Sequence, residues 1–129
     1  MMTRSIHVLC EIYGVEFDRL NNRKFLEQVL TDAALEAGAE VREVAFQNFS
    51  PQGVSGVVII SESHLTIHTF PEENYCAVDI FTCGDKIDPM DACNYLLNVL
   101  QAKKSFIKEF ERGNGEIKEL TTYIDEKID

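Results

Sequence analysis

The densest group of reactive side chains lies in "SESHLTIH", residues 61–68. It contains Ser61, Glu62, Ser63, His64 and His68. Hydroxyl, carboxylate and imidazole groups at such short spacing can support nucleophilic attack and proton transfer. The segment follows the apolar run "GVVII" and precedes the turn "PEEN". Composition alone also allows a plain polar kink between two strands.

The two histidines do not predict a metal site. His64, Thr66 and His68 alternate with apolar residues, which is typical of a strand. At about 3.3 Å per residue, His64 and His68 would then lie about 13 Å apart. Two ligands at that separation cannot share one ion, so no metal is expected.

Two other candidate sites stay open on the residues alone. Ser63, His68 and Asp79 could form a Ser-His-Asp triad, although "GxSxG", the nucleophile motif of α/β-hydrolases, does not occur. Cys83 precedes Gly84 at the end of a predicted strand and could reach a cleft. A buried core cysteine is the alternative for that position.

Periodic apolar residues predict the elements that would hold these groups. Strands are predicted at 5–13, 39–49, 54–61, 64–70, 75–83 and 105–112, and helices at 23–37 and from 88 to about 104. The β-branched run 54–61 is expected to be buried on both faces.

Predicted helix caps fit these bounds. Asn21 or Asn22 is expected to cap the first helix. Asp88 and Pro89 suit the start of the second, and Lys103 and Lys104 its last turn.

The order β-α-β-β-β-β-α-β predicts an α+β fold, a two-layer sandwich with a largely antiparallel sheet. Both helices are expected on one sheet face, and the other face is expected to form a dimer.

Composition narrows the range of partners and locations. The chain has 129 residues, enough for one domain. Its net charge of −10 argues against a nucleic-acid partner. No apolar run approaches a membrane span, and the N-terminus does not resemble a signal peptide, so a cytoplasmic protein is expected. Its four cysteines form no CxxC pair and are expected to be reduced thiols, and the acidic end "IDEKID" is expected to be solvated.

A longer pattern carries a specific resemblance. "PQGVSGVVIISESHLTIHTFPE", followed by "YCAVDIFTCG", resembles the short prokaryotic S-adenosylmethionine decarboxylase proenzymes. The likeness runs from about His7 to "ERG" at 111–113. It implies a self-cleaving, pyruvoyl-dependent lyase that converts S-adenosylmethionine to its decarboxylated form and CO₂. That product is the aminopropyl donor for spermidine and polyamine biosynthesis.

The resemblance implies that the chain cuts itself between Glu62 and Ser63. The products would be a β chain, 1–62, and an α chain, 63–129, that begins with a pyruvoyl group made from Ser63. Only serine can yield pyruvoyl, because its side chain leaves a bare methylene once the oxygen departs. The pyruvoyl would form a Schiff base with the substrate amino group and act as electron sink.

Further site residues follow from the same resemblance. Ser55 and His68 match the processing residues, as oxyanion donor and proton carrier. His68 lies five residues after Ser63, so a bend or bulge at Ser63 is expected to bring them together. Cys83 matches the acid that reprotonates the substrate carbon, a role that suits a thiol protonated at neutral pH.

Substrate-binding residues are also implied. Phe49 and Phe70 match positions that stack on adenine, and Glu72 matches a position that binds ribose hydroxyls. Many relatives carry Trp where this chain has Phe70. Ordinary core packing is the other interpretation of the two phenylalanines.

Two alternative functions remain. One is a pyruvoyl-dependent arginine or ornithine decarboxylase, in which the chemistry at Ser63 would be identical. The other is a non-enzymatic α+β binding module. The expected assembly is a homodimer of αβ units or a larger oligomer, without nucleic-acid or membrane partners.

Overall fold

A single antiparallel sheet organises the chain. The computed structural model describes residues 4–61, 63–84 and 87–126. Within these residues, seven strands form one sheet in the order β2-β3-β4-β5-β1-β6-β7, and every neighbouring pair is antiparallel. The strands are β1 (Ser5–Tyr13), β2 (Val41–Asn48), β3 (Val54–Ile60), β4 (Ser63–Phe70), β5 (Tyr75–Cys83), β6 (Lys104–Arg112) and β7 (Lys118–Glu126).

The helices connect and cover these strands. They are α1 (Phe17–Leu20), α2 (Arg23–Glu36) and α3 (Pro89–Leu100), with a short 3-10 helix at Pro71–Glu73. None of the helices in the described ranges has both the length and the apolar character needed to cross a bilayer.

Local side-chain chemistry sets the helix ends. Asn22 Oδ1 accepts the Phe25 N–H at 3.1 Å, and Asp88 Oδ1 accepts the Met90 N–H at 2.9 Å. Both bonds satisfy amide donors that a helix start leaves without partners, and both caps were predicted. α3 ends at Leu100, and Gln101 forms its cap in the left-handed region with φ of 54°. The prediction that Lys103 and Lys104 occupy its last turn is therefore wrong.

Along each strand, successive side chains alternate between the sheet face that the helices cover and the face that they leave uncovered. In β1, Val8, Cys10 and Ile12 are buried on the side that α3 covers, and α2 packs on β2 and β3. We call the opposite side, turned away from both helices, the open face. The predicted α+β two-layer sandwich with both helices on one sheet face is confirmed.

β3, residues 54–60, has one face covered by the helices and one face that they leave exposed. Val58 is fully buried, but Ile59 points to the open face and is 42% exposed. The prediction that this run is buried on both faces is therefore wrong for a single chain. β-branched residues indicate a strand, but they do not say how many layers cover it.

The C-terminal region adds an element that the sequence did not predict. β7 pairs with β6 from Lys104–Glu126 to Glu111–Lys118. The predicted solvated end therefore begins inside a strand, although 127–129 lie outside the described residues. Almost every β7 side chain is exposed, so no period-two hydrophobic pattern marks it. The free edge of β6 supplies the partner that the local sequence does not reveal.

Candidate functional site

Ser63 begins β4 and is held by the neighbouring strand. It is only 5% exposed, and its Oγ accepts a hydrogen bond from the Cys83 N–H at 3.1 Å. Antiparallel pairing of β4 with β5 brings the two residues together. Glu62, the predicted partner of Ser63 at the cleavage site, lies outside the described residues.

Cys83 ends β5, as predicted, and Gly84 follows it with φ of 76°. The β1–β5 register places Cys83 opposite Ser5, and the Cys83 Sγ lies 3.7 Å from the Ser5 Oγ. No local pattern in the sequence marks Ser5, because only the pairing of β1 with β5, a strand about seventy residues later, makes Ser5 and Cys83 neighbours. Cys83 therefore contacts two hydroxyl groups, that of Ser5 through its thiol and that of Ser63 through its backbone N–H.

Ser55 and His68 form a second hydrogen-bonded pair. They face each other across β3 and β4, and Ser55 Oγ lies 2.8 Å from His68 Nδ1. A cavity of about 340 Å³ opens beside them on the open face, with Gln47 and Thr66 also in its wall. The hydroxyl and the imidazole are thus positioned to share a proton.

The predicted bend at Ser63 is absent, and that prediction is wrong. β4 runs from Ser63 to Phe70 without a register shift against β3 or β5. Ser63 is buried on the helix side and His68 is exposed on the open face. At about 3.3 Å per residue, five residues place them about 16 Å apart. One chain therefore does not bring the imidazole to the Ser63 hydroxyl.

The predicted substrate residues lie at the His68 end of β4. Phe70 is the last residue of the strand, is 40% exposed and stacks on Tyr75 with ring centroids 5.5 Å apart. Phe49 is 52% exposed after β2, and its N–H donates to the Gly53 carbonyl at 2.9 Å. Glu72 is exposed in the 3-10 helix. Neither phenylalanine is an ordinary core residue in the single chain.

The predicted site residues thus divide between two ends of the sheet. The Ser63 group consists of Ser63 and Cys83, together with Ser5. The His68 group consists of Phe49, Ser55, His68, Phe70 and Glu72.

The remaining candidates do not assemble a site. Asp79 lies opposite Thr66, and its Oδ2 is 3.9 Å from His7 Nε2, so it does not complete a triad with Ser63 and His68. His64 stacks on Phe81 with ring centroids 5.5 Å apart, a packing role. Within the described ranges, no three His, Cys, Asp or Glu side chains cluster as a metal site would require.

Burial controls the charge of some neighbouring groups. Desolvation lowers the pKa of His7, the nearby Asp79 carboxylate opposes this, and the charge of Arg112 adds to the lowering. Cys10, Cys76 and Cys93 are buried free thiols. Burial raises the pKa of Cys76 to about 12, which leaves this thiol protonated and unreactive at neutral pH.

Comparisons with known proteins agree on one family. A family model described as S-adenosylmethionine decarboxylase matches residues 6–113. A Clostridium kluyveri protein named S-adenosylmethionine decarboxylase proenzyme is 63% identical over 107 residues, which cover 83% of this chain and 85% of that protein. One from Halalkalibacterium halodurans, named S-adenosylmethionine decarboxylase proenzyme 2, is 57% identical over 117 residues, covering 91% and 92%. These names give no support to an arginine or ornithine substrate.

A solved structure supports the same relationship. The crystal structure of the adenosylmethionine decarboxylase from Aquifex aeolicus superposes with a TM-score of 0.76 at 29% identity. The match covers 94% of this chain and 98% of the other. The likeness therefore includes most of the seven-stranded sheet as well as the motif region.

Proposed function

Since the chain belongs to the S-adenosylmethionine decarboxylase family, we propose that it is a self-processing enzyme that decarboxylates S-adenosylmethionine. Its product would be the aminopropyl donor for polyamine biosynthesis. The observation that carries this proposal is the position of Ser63, which starts β4 with its hydroxyl beside the backbone of Cys83. Cleavage would separate a β chain, 1–62, from an α chain, 63–129.

The cleavage chemistry starts at the Ser63 hydroxyl. Its Oγ attacks the carbonyl carbon of residue 62, the C–N bond breaks, and the hydroxyl proton ends on the Ser63 nitrogen. The resulting ester then loses its Oγ as the carboxylate of residue 62, while the Ser63 Cα gives up its proton. The enamine that this elimination leaves takes up a proton at Cβ to become an imine, and water hydrolyses the imine, releasing ammonia and leaving pyruvoyl. The hydrogen bond from the Cys83 N–H favours a fixed orientation of Oγ before attack.

The residues around Ser63 suit a pyruvoyl group. Serine is the residue type that can generate it, and the backbone N–H of Cys83 contacts its hydroxyl. When present, the pyruvoyl supplies an electron sink for the decarboxylation. Cys83 would then deliver a proton to the substrate carbon, because its thiol lies on the open face at the same sheet end.

A second copy of the chain would complete the site. Proton transfer needs heavy atoms about 2.6–3.2 Å apart, far less than the separation of Ser63 and His68 along β4. In this dimer, the open faces of two copies pack together about a two-fold axis that lies between the sheets and perpendicular to the strands. The strands of the second copy then run opposite to those of the first. The second copy's His68 group then lies over the end of the first sheet at which β4 begins and β5 ends. There His68 would carry protons and Ser55 would support the oxyanion during cleavage.

The open face has the composition that such packing needs. Large apolar side chains are exposed on it, including Leu9, Tyr13, Ile59 and Phe70. Contiguous exposed apolar surface is typical of interaction sites, and sheets pack face to face in sandwiches. We therefore infer a homodimer of αβ units. We also propose a cytoplasmic location, where the cysteines remain reduced.

The proposal makes a direct prediction for the purified protein. The 14.6 kDa chain should separate into fragments 1–62 and 63–129 during expression or incubation. Mass spectrometry should show a pyruvoyl group in place of the N-terminal serine of the second fragment. Labelled S-adenosylmethionine should release CO₂, whereas labelled arginine and ornithine should not. A chain that stays whole, or CO₂ only from an amino acid, would contradict the proposal.

Substrate binding gives a second prediction. Replacing Phe70 with Ala should raise the KM for S-adenosylmethionine about tenfold, because an aromatic platform for the adenine is removed. Self-cleavage and kcat should change much less. Phe70→Trp is the matched control and should keep KM at or below the wild-type value. Steady-state kinetics on fully processed protein measures both, and an unchanged KM in Phe70→Ala would exclude the stacking role.

A further inference from the structure

Thr82 has a buried hydroxyl that lacks a hydrogen-bond partner. The residue is 1% exposed, and its Oγ1 finds no hydrogen-bond partner in the described part of the chain. A hydroxyl withdrawn from water without a partner destabilises the fold. Valine would have the same shape at this position without that cost. A buried threonine here therefore calls for a reason other than packing.

The position of Thr82 supplies that reason. β4 and β5 pair from Phe70–Tyr75 to His64–Phe81, and the same register places Ser63 opposite Thr82. Both side chains are buried on the helix side of the sheet. Directly opposed residues in antiparallel strands have Cβ atoms about 4.5–5.5 Å apart. A rotation of either side chain can bring the two oxygens into hydrogen-bonding reach.

The hydrogen bonds of Ser63 leave room for such a contact. Ser63 Oγ already accepts the Cys83 N–H, so its own O–H proton still needs an acceptor. His68 cannot serve within the same chain, because it lies at the other end of β4. A threonine oxygen has two lone pairs, and those of Thr82 are unused by the described residues.

We propose that Thr82 is a positioning residue for self-cleavage, whose hydroxyl accepts the Ser63 O–H and holds Ser63 Oγ on its line of attack. This inference rests on the proposed function of Ser63. In this role Thr82 forms no covalent bond, so the bonds and protons exchanged in the cleavage stay the same. The Oγ–C bond still forms as the C–N bond of residues 62 and 63 breaks, and the proton still ends on the Ser63 nitrogen.

The test compares Thr82→Val with Thr82→Ser. Valine removes the hydroxyl at nearly constant shape, whereas serine keeps it. We expect Thr82→Val to slow the appearance of fragments 1–62 and 63–129 by about tenfold to a hundredfold, the effect of a misaligned nucleophile. Thr82→Ser should cleave at close to the wild-type rate. Gel densitometry and mass spectrometry over time measure these rates.

A stability measurement separates positioning from packing. In a Ser63→Ala background, where every chain stays whole, Thr82→Val should raise Tm because a buried hydroxyl without a partner is removed. Slower cleavage together with higher stability supports positioning. A lower Tm in this background would show a structural role and overturn the inference.

Hydroxylamine identifies the step at which Thr82 acts, because it cleaves accumulated ester. It should not restore fragment yield in Thr82→Val if ester formation is the slowed step. Rapid hydroxylamine cleavage of that variant would overturn the assignment to attack. A wild-type chain that never cleaves would instead overturn the proposed function itself. A Thr82→Val chain that cleaves at the wild-type rate would overturn only the role of Thr82.

Discussion

Replacing Ser63 with Ala is expected to leave the 129-residue chain whole and to abolish decarboxylation completely. The hydroxyl is both the nucleophile of the cleavage and the source of the pyruvoyl group. Its Oγ is the atom that accepts a hydrogen bond from the Cys83 N–H at 3.1 Å. Mass spectrometry after long incubation, with a CO₂-release assay on the same sample, measures both losses. Fragments ending at residue 62, or residual activity, would contradict this role.

Ser61 provides the matched control. It lies two residues before Ser63, is exposed, and its Oγ accepts a hydrogen bond from Arg42 Nε at 3.2 Å. Ser61→Ala should therefore cleave and decarboxylate like the wild type. If Ser61→Ala blocked cleavage while Ser63→Ala did not, the cut would have to be reassigned. Ser63→Cys adds a chemical control, because cysteine offers a nucleophile but is not expected to yield an active pyruvoyl enzyme.

Two inactive variants are expected to restore each other when they are expressed together. Cys83→Ala damages the Ser63 group, and His68→Ala damages the His68 group. If each site combines one group from each chain, a mixed dimer contains one intact site and one doubly damaged site. Random pairing makes half of the dimers mixed, so about a quarter of the wild-type specific activity should return. A site contained within one chain would give no recovery.

The mixed dimer also predicts which chain is cut. A tagged His68→Ala chain retains Ser63 and Cys83, so a Cys83→Ala partner can supply its imidazole. The tagged chain should be cleaved only in the mixture, which a blot of the tag shows directly. Coexpression of Ser63→Ala with Cys83→Ala is the control, because both changes fall in the same group. Recovery in that control would disprove the division of the site between two chains.

Local patterns were enough to predict much of the fold. The alternation in residues 5–13 predicted β1, and the capping side chains of Asn22 and Asp88 predicted the helix starts. These signals involve residues a few positions apart, where backbone geometry decides the structure. β7 could not be predicted in this way, because its pairing with β6 depends on a free sheet edge and not on its own periodicity.

The burial of β3 shows the same limit at the level of packing. The β-branched run indicated a strand, but Ile59 is exposed because both helices cover the opposite face. How many layers of helices or sheets cover a strand depends on the packing of the whole molecule, and not on the residues of that strand. The sequence thus predicted the sheet and its open face, whereas only the structure showed that Ile59 is exposed in a single chain.

By itself, the sequence determined the chemical groups and the family to which they belong, because "SESH" and "FTCG" specify residue types at fixed spacing. Only the tertiary structure decided how those groups are distributed. The unbroken β4 separates Ser63 from His68, since a strand has a fixed rise and alternating faces. Strand pairing brings Ser5 to Cys83 and places Thr82 opposite Ser63. Such contacts depend on strand order and register, which spacing along the chain does not contain.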